Sequence, residues 1–216
     1  MRGRGLPRRF YLRPAPVVAR ALLGCVLVSR HGRTITAGRI VETEAYLGPE
    51  DEASHAAFRP GSHHLFYGDG GVAYVFSAYG MHACLNAITE RAGRPGCVLI
   101  RALEPLAGLR AMARRRGLPP TSPRLTSGPG NLTRALGIGL DANGASLTQS
   151  GLTIEPPGRL REFTIGRGPR IGITRARGLA LRFWIAGNPY VSRQVAASPP
   201  LGRRSRAMSA GSQRSS

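Results

Sequence analysis

The chain has 216 residues, 42% hydrophobic and 19% charged, which suits one ordinary globular domain with a core of its own. Its 31 basic side chains, all arginine, stand against 11 acidic ones, a net charge of +20 with a pI near 11.7. The balance implies an anionic partner, most simply nucleic acid, and the absence of lysine excludes imine chemistry except at the N-terminal amine. A ribosomal or chromatin-like filler, or plain Arg-rich codon bias, would give the same charge. Arginine does suit phosphate, because its planar fork donates two hydrogen bonds at once.

Cys25, Cys84 and Cys97 are odd in number and too far apart to chelate, so neither a disulfide scaffold nor a zinc site is expected, and a reducing compartment fits. The opening "RRFYL" resembles a twin-Arg export signal only superficially, since Arg13, Pro14, Pro16 and Arg20 interrupt the apolar region such a signal needs. The run "VVARALLGCVLV" is too short and too charged to span a bilayer. A cytoplasmic, nucleoid-associated protein is expected, and arginine in place of lysine hints at a GC-rich bacterial genome.

In chain order, residues 1–9 read as a basic extension, 10–197 as one domain, and 198–216 as a tail with little to bury, expected to be disordered. Residues 16–23 predict a short helix with Pro near its first turn and Gly24 ending it. "CVLVS" and "TITAGRIVETEAYL" read as strands rich in β-branched residues. Glu50, Asp51 and Glu52 are assigned to a helix start, where anions offset the helix dipole. "VAYVFSA" and "ACLNAIT" form a hairpin with Tyr79 and Gly80 at its tip, and "GCVLIRALE" is a buried strand. A helix is predicted to open at Pro105 and run to Arg116, closed by Gly117. A loop rich in Pro and Gly (117–131) leads into a short helix around "LTRAL", and "LTIE", "RIGIT" and "LRFWIA" read as short strands. These elements predict a single α+β domain around an antiparallel or mixed sheet.

Five of the 11 acids fall between Glu42 and Glu52. In an extended "RIVETEAYL", Ile40, Glu42, Glu44 and Tyr46 share one face, and two neighbouring carboxylates raise the cost of ionising both. A solvated or Arg-paired strand face would explain the pair; so would a general base aimed into a cleft with Tyr46 as an aromatic wall. Val72, Tyr74, Phe76 and Ala78 share a face of the hairpin, and Tyr79 at its tip fits ordinary turn packing or a wedge that enters a DNA stack. His55 can be a satisfied surface histidine. His63 and His64 lack a third ligand of convincing spacing, so no metal or other cofactor is expected.

Together "GRIVETEAYLGPEDEASH", "AYVFSAYGMHACLN", "CVLIRALEPLAGL", "SGPGNLTRAL" and "LRFWIAGNPYVS" resemble the alkyladenine (3-methyladenine) DNA glycosylase family, in the same order from about Phe10 to Ser192. The resemblance implies a single α+β domain on a curved, mainly antiparallel sheet. It also implies hydrolysis of the bond between a damaged purine and deoxyribose in double-stranded DNA, by a monomer without a cofactor and without lyase activity. Glu44 would activate the water that attacks C1′, and Arg101 would help fix that water or the adjoining phosphate, with the Ile171 carbonyl a further candidate. Tyr46, His55 and Phe76 would sandwich the extruded base, His55 would also present a hydrogen bond to its edge, Asn86 would disfavour a purine 2-amino group, and Tyr79 would be the wedge. Two departures stand out: Phe76 replaces the usual Tyr, and "FRPGSHHLFYGDGG" differs from the family's lead-in to the hairpin. The rival readings are a non-catalytic Arg-rich nucleic-acid binder and a carbohydrate glycosidase using Glu42 and Glu44.

Overall fold

The computed structural model describes residues 5–78, 80–149, 151–158 and 162–192. The expected tail, residues 198–216, and Tyr79 lie outside them. Two short helices lead in, α1 (Arg8–Tyr11) and α2 (Ala15–Ala21), the latter with Pro16 in its first turn, where a missing N–H is harmless. Leu6, just before them, is buried in the main core, and its amide donates to the Ile154 carbonyl at 2.7 Å. Strands β1 (Val26–His31) and β2 (Thr34–Tyr46) follow as a hairpin. His31 faces Thr34, so only Gly32 and Arg33 turn the chain, and Gly32 takes the positive φ of 55° that such a tight turn demands.

The remaining elements are helices α3 (His55–Phe58) and α4 (His63–Phe66), strands β3 (Ala73–Ala78), β4 (His82–Ile88) and β5 (Cys97–Ala107), helices α5 (Leu109–Arg116) and α6 (Pro129–Leu136), and strands β6 (Leu152–Glu155), β7 (Ile165–Gly168) and β8 (Arg182–Ile185). The eight strands form one sheet in the order β3-β4-β5-β2-β1-β6, with β8 on β2 and β7 on β8. All its pairings are antiparallel, so the predicted α+β class holds. Strand β2 is the hub. It pairs with β5 on one side, and on the other its first half meets β1 while residues 42–44 meet β8.

Helix α2 braces the back of β2. Val18, Ala19 and Leu22 are wholly buried in one cluster with Val41 and Ala45, and the Thr43 hydroxyl donates to the Ala19 carbonyl at 2.9 Å. A smaller cluster of Ala56, Phe66, Tyr74, Ile88 and Cys97 holds α3 and α4 to the sheet, with Tyr46 and Phe76 packed against it. The site lies there.

Three expectations need correction. The helix predicted from Pro105 begins only at Leu109, because β5 continues to Ala107 along β2, with Pro105 facing Gly38. Strand β4 covers only Cys97 to Leu99 of β5, so Pro105 lies beyond it, where a missing donor costs the sheet nothing. "RIGIT" is not a strand: Arg170 is turned into an ion pair and the Ile171 amide donates to a side chain, so neither serves a ladder. Strand β7 was not expected from "IGRG", yet its first glycine is required, since a Cβ at Gly166 would overlap the Trp184 ring.

Candidate active site

Alternation along β2 puts Glu42, Glu44 and Tyr46 on the face opposite the Thr43–α2 contact. Both glutamates are wholly buried, at 0% exposure, so the strand face is not solvated. Two buried carboxylates this close repel strongly unless a cation divides them. Arg101 does so from β5: its Nε donates to Glu42 at 3.2 Å, and one terminal nitrogen lies 3.3 Å from Glu44 Oε1. Register shifts between β2 and β5 fall at this point, with Glu42 paired to Ala102 and Thr43 to Ile100, leaving Arg101 as the extra residue. Burial pulls the Arg101 pKa down, but Glu44 and Glu42 outweigh it and hold it above its ordinary value.

Glu42 is fully engaged. Arg182 donates to it at 2.7 Å and the Ser192 amide at 2.7 Å, besides Arg101. It therefore leaves no free carboxylate to partner Glu44 across a sugar linkage, as the carbohydrate reading needs. Glu44 accepts the Ile171 amide at 2.7 Å on Oε1 and the Tyr46 hydroxyl at 2.9 Å on Oε2. Burial first, and the Glu44 charge second, push the Tyr46 phenol well above its ordinary pKa, so it remains a donor. Ile171 thus meets Glu44 through its amide.

In front of this group opens a cavity of ≈ 730 Å³, lined among others by Tyr46, His55, Phe76, Asn86, Arg101 and Ile171. Six of the residues singled out from sequence thus converge, with Glu44 directly behind Tyr46, Arg101 and Ile171. His55, at the start of α3, meets the Phe76 ring edge-on at 4.4 Å and Tyr74 Oη through Nδ1 at 2.8 Å. Burial first, then the Arg59 charge, lower its pKa to about 4, so the ring is neutral near pH 7. Asn86 is buried and oriented, donating to the Tyr74 carbonyl at 3.2 Å.

The acids assigned to a helix start behave differently. Helix α3 begins later and is capped by Ser54, whose side chain accepts the Ala56 amide. Asp51 is buried instead, taking a two-pronged contact from Arg170 at 2.5 and 2.8 Å and the Leu47 amide at 3.1 Å. Desolvation raises its pKa, but the Arg170 hydrogen bonds outweigh it and the net direction is down. Arg170 also lies over the Tyr46 ring, 4.5 Å from its centre, and so stiffens one wall of the cavity.

Sequence reasoning missed Arg59, Tyr74, Arg170 and Arg182. Tyr74 carried a signal, its shared face with Phe76; the arginines carried none, because their partners are remote in the chain. His63, whose ring nitrogen meets the Ala56 carbonyl at 3.1 Å, serves local packing. Among the described residues no three His, Cys, Asp or Glu side chains are grouped to hold a metal, and no helix is long and apolar enough to cross a membrane.

An α+β domain that buries a carboxylate behind an aromatic cavity in a cationic chain fits an enzyme acting on an anionic substrate. The family model described as "Methylpurine-DNA glycosylase (MPG)" matches residues 9–189. A protein of Methanoculleus marisnigri is 46% identical over 193 residues, covering 88% of this chain and 99% of that one. One of Koribacter versatilis is 45% identical (87% and 92% covered) and one of Myxococcus xanthus 43% (92% and 97%). All three carry the name "Putative 3-methyladenine DNA glycosylase". The chain belongs to the methylpurine-DNA glycosylase family, and with it to the DNA glycosylases of base excision repair.

Proposed function

We propose that the protein is a monofunctional glycosylase that swings alkylated or deaminated purines out of duplex DNA and hydrolyses the N-glycosidic bond, leaving an abasic site. The observation that carries this reading is Glu44, buried behind the cavity by Arg101, Tyr46 and the Ile171 amide. Oε1 is doubly engaged, while Oε2 has only the Tyr46 hydroxyl and keeps acceptor capacity for a water. That water attacks C1′ and gives its proton to Glu44 as the purine leaves with the bonding electrons. Positive charge grows on the sugar during this step, and the carboxylate stabilises it. Arg101, 3.3 Å from Glu44 Oε1, holds the carboxylate in place.

Tyr46 on one side, His55 and Phe76 on the other, supply the walls between which the base stacks. The Tyr74 hydroxyl receives a bond from Ser62 at 3.2 Å, so its own proton is available to His55 Nδ1, which leaves Nε2–H as a donor for the base edge. Asn86 stands where a 2-amino group would arrive, against normal guanine. Tyr79, between β3 and β4 in sequence, is proposed as the wedge that fills the gap in the duplex. Extrusion costs a few kcal/mol, roughly, and least for a weakly paired lesion, which is one source of selectivity. Surface arginines hold the backbone through its phosphates without reading sequence.

The test incubates the protein with duplexes carrying hypoxanthine, 1,N6-ethenoadenine or 3-methyladenine and reveals abasic sites by alkali. Cleavage at the lesion position is expected. Duplexes left intact for every lesion would overturn the reading.

A further inference from the structure

Two guanidinium groups stand on the rings that wall the cavity, Arg170 4.5 Å from the centre of Tyr46 and Arg59 5.4 Å from that of Phe76. They differ in charge compensation. Arg170 is buried and cancelled by Asp51. Arg59 is exposed and lines the cavity, and no ion pair engages it among the described residues; its hydrogen bond goes to the uncharged Tyr74 hydroxyl at 3.5 Å. The other charged groups of the lining are Glu52 and Arg175, which oppose each other in sign, and Arg101, paired with Glu42 and Glu44. Arg59 thus leaves the mouth of the cavity with an uncompensated positive charge. Its reach is felt at His55, whose proton affinity it helps to depress.

An unoccupied aromatic face attracts a cation. The Phe76 ring already has one. A purine methylated at N3 or N7 carries a positive charge while joined to the sugar, and would meet Arg59 across the same ring. Deaminated and etheno purines are neutral; they stack without that repulsion, and a guanidinium stacks well on a neutral ring.

Resting on the base-release reading above, we propose that Arg59 is a specificity residue that makes this cavity discriminate against cationic purine lesions in favour of neutral ones such as hypoxanthine. Like charges about 9 Å apart across the ring, in a partly hydrated mouth, repel enough to change a rate ratio by roughly two- to fivefold. The effect weakens with added salt, as an exposed charge must.

The experiment measures single-turnover release of 7-methylguanine and of hypoxanthine from otherwise identical duplexes, by the unsubstituted protein and by Arg59→Gln. Each rate can change; the readout is the ratio of 7-methylguanine to hypoxanthine, in which intrinsic lability of the two bases cancels between proteins. The ratio should rise about two- to fivefold in Arg59→Gln and stay near the original in Arg59→Lys. Added salt should raise it in the unsubstituted protein and leave it flat in Arg59→Gln, a pattern that mere loss of packing would not give. A ratio that is unchanged or lower in Arg59→Gln would overturn the proposal while hypoxanthine release kept the glycosylase reading intact. Absence of release of either base by the unsubstituted protein would overturn both.

Discussion

The floor of the cavity and the surface of α5 and α6 use the same residue type in opposite ways. At the floor, Arg101, Arg170 and Arg182 are almost wholly buried, and each is matched to Glu42, Glu44 or Asp51. Along α5, α6 and the turn between them, Arg110, Arg114, Arg115, Arg116, Arg124 and Arg134 occur without a single acid between Glu104 and Asp141. There the guanidinium groups donate to main-chain carbonyls: Arg115 to Ala135 at 3.0 Å, Arg134 to Arg115 at 2.9 Å, Arg116 to Leu125 at 3.2 Å. A carbonyl fixes a guanidinium without cancelling its charge. Burial first, then the charges of Arg134 and Arg124, pull the Arg116 pKa down, a sign of that crowding. In a chain of net charge +20, the contrast explains three of the five acids gathered in one stretch, Glu42, Glu44 and Asp51; Glu50 and Glu52 are exposed. Buried carboxylates stand where arginines are taken out of water, and the arginines of α5 and α6 stay uncompensated, as phosphate contacts would require.

The largest expected effect strikes the floor. Glu44→Gln should lower base release by roughly 10²- to 10⁴-fold in single-turnover assays, while lesion-duplex binding persists by gel shift. Equal activity would take Glu44 out of the chemistry, and no release from either protein would make this a binder. Asp51→Ala strips the partner from a buried guanidinium and should cost about 3–5 kcal/mol in urea unfolding; a loss below about 1 kcal/mol would place this pair with ordinary surface ion pairs. On the other region, replacing Arg114, Arg124 and Arg134 together by Gln should weaken binding to undamaged duplex and flatten its dependence on salt by up to about three units of slope. Release at saturating protein should change far less, and an unaltered slope would show that the surface does not meet DNA.

The smallest effect is a titration. His55 has its folded pKa depressed from 6.5 to about 4, so between those values the unfolded chain binds the extra proton. The His55 contribution to stability is therefore complete above pH 6.5 and declines as pH falls toward about 4. An NMR titration of its ring should show the low value, and Arg59→Gln should move it upward. A value near 6.5 would mean that the ring is open to water.

Local patterns were legible because their causes are local. Alternation in "IVETEAY" put Glu42, Glu44 and Tyr46 on one face, and Gly117 ends α5 with a φ of 64°, as a C-terminal glycine should. What escaped was set by remote contacts. Arg170 lies 119 residues from Asp51, and Arg182 lies 140 from Glu42, so neither acid could be recognised as buried and paired. The same remoteness misled at "RIGIT", where side chains and amides are diverted to the site, and at "IGRG", where a distant Trp184 explains the first glycine. Pro105 read as a helix start because sequence does not show where β4 stops covering β5. The family motifs identified the cavity residues, yet Arg59, in the segment that departs from the family, had no motif to mark it.

Strand β2 is gripped by β5, β1 and β8 at once and backed by α2, so the carboxylate proposed to perform the chemistry is mounted on the part of the molecule hardest to pull apart. Proteins whose reactive groups ride on loops go silent in mild denaturant well before they melt. Here the carboxylate should keep its posture until the whole sheet gives way, with slow amide exchange along residues 42–45 as its companion signature. Any early fading of turnover would then report on α3 and α4, the thin cover beside the cavity, and not on the strand beneath.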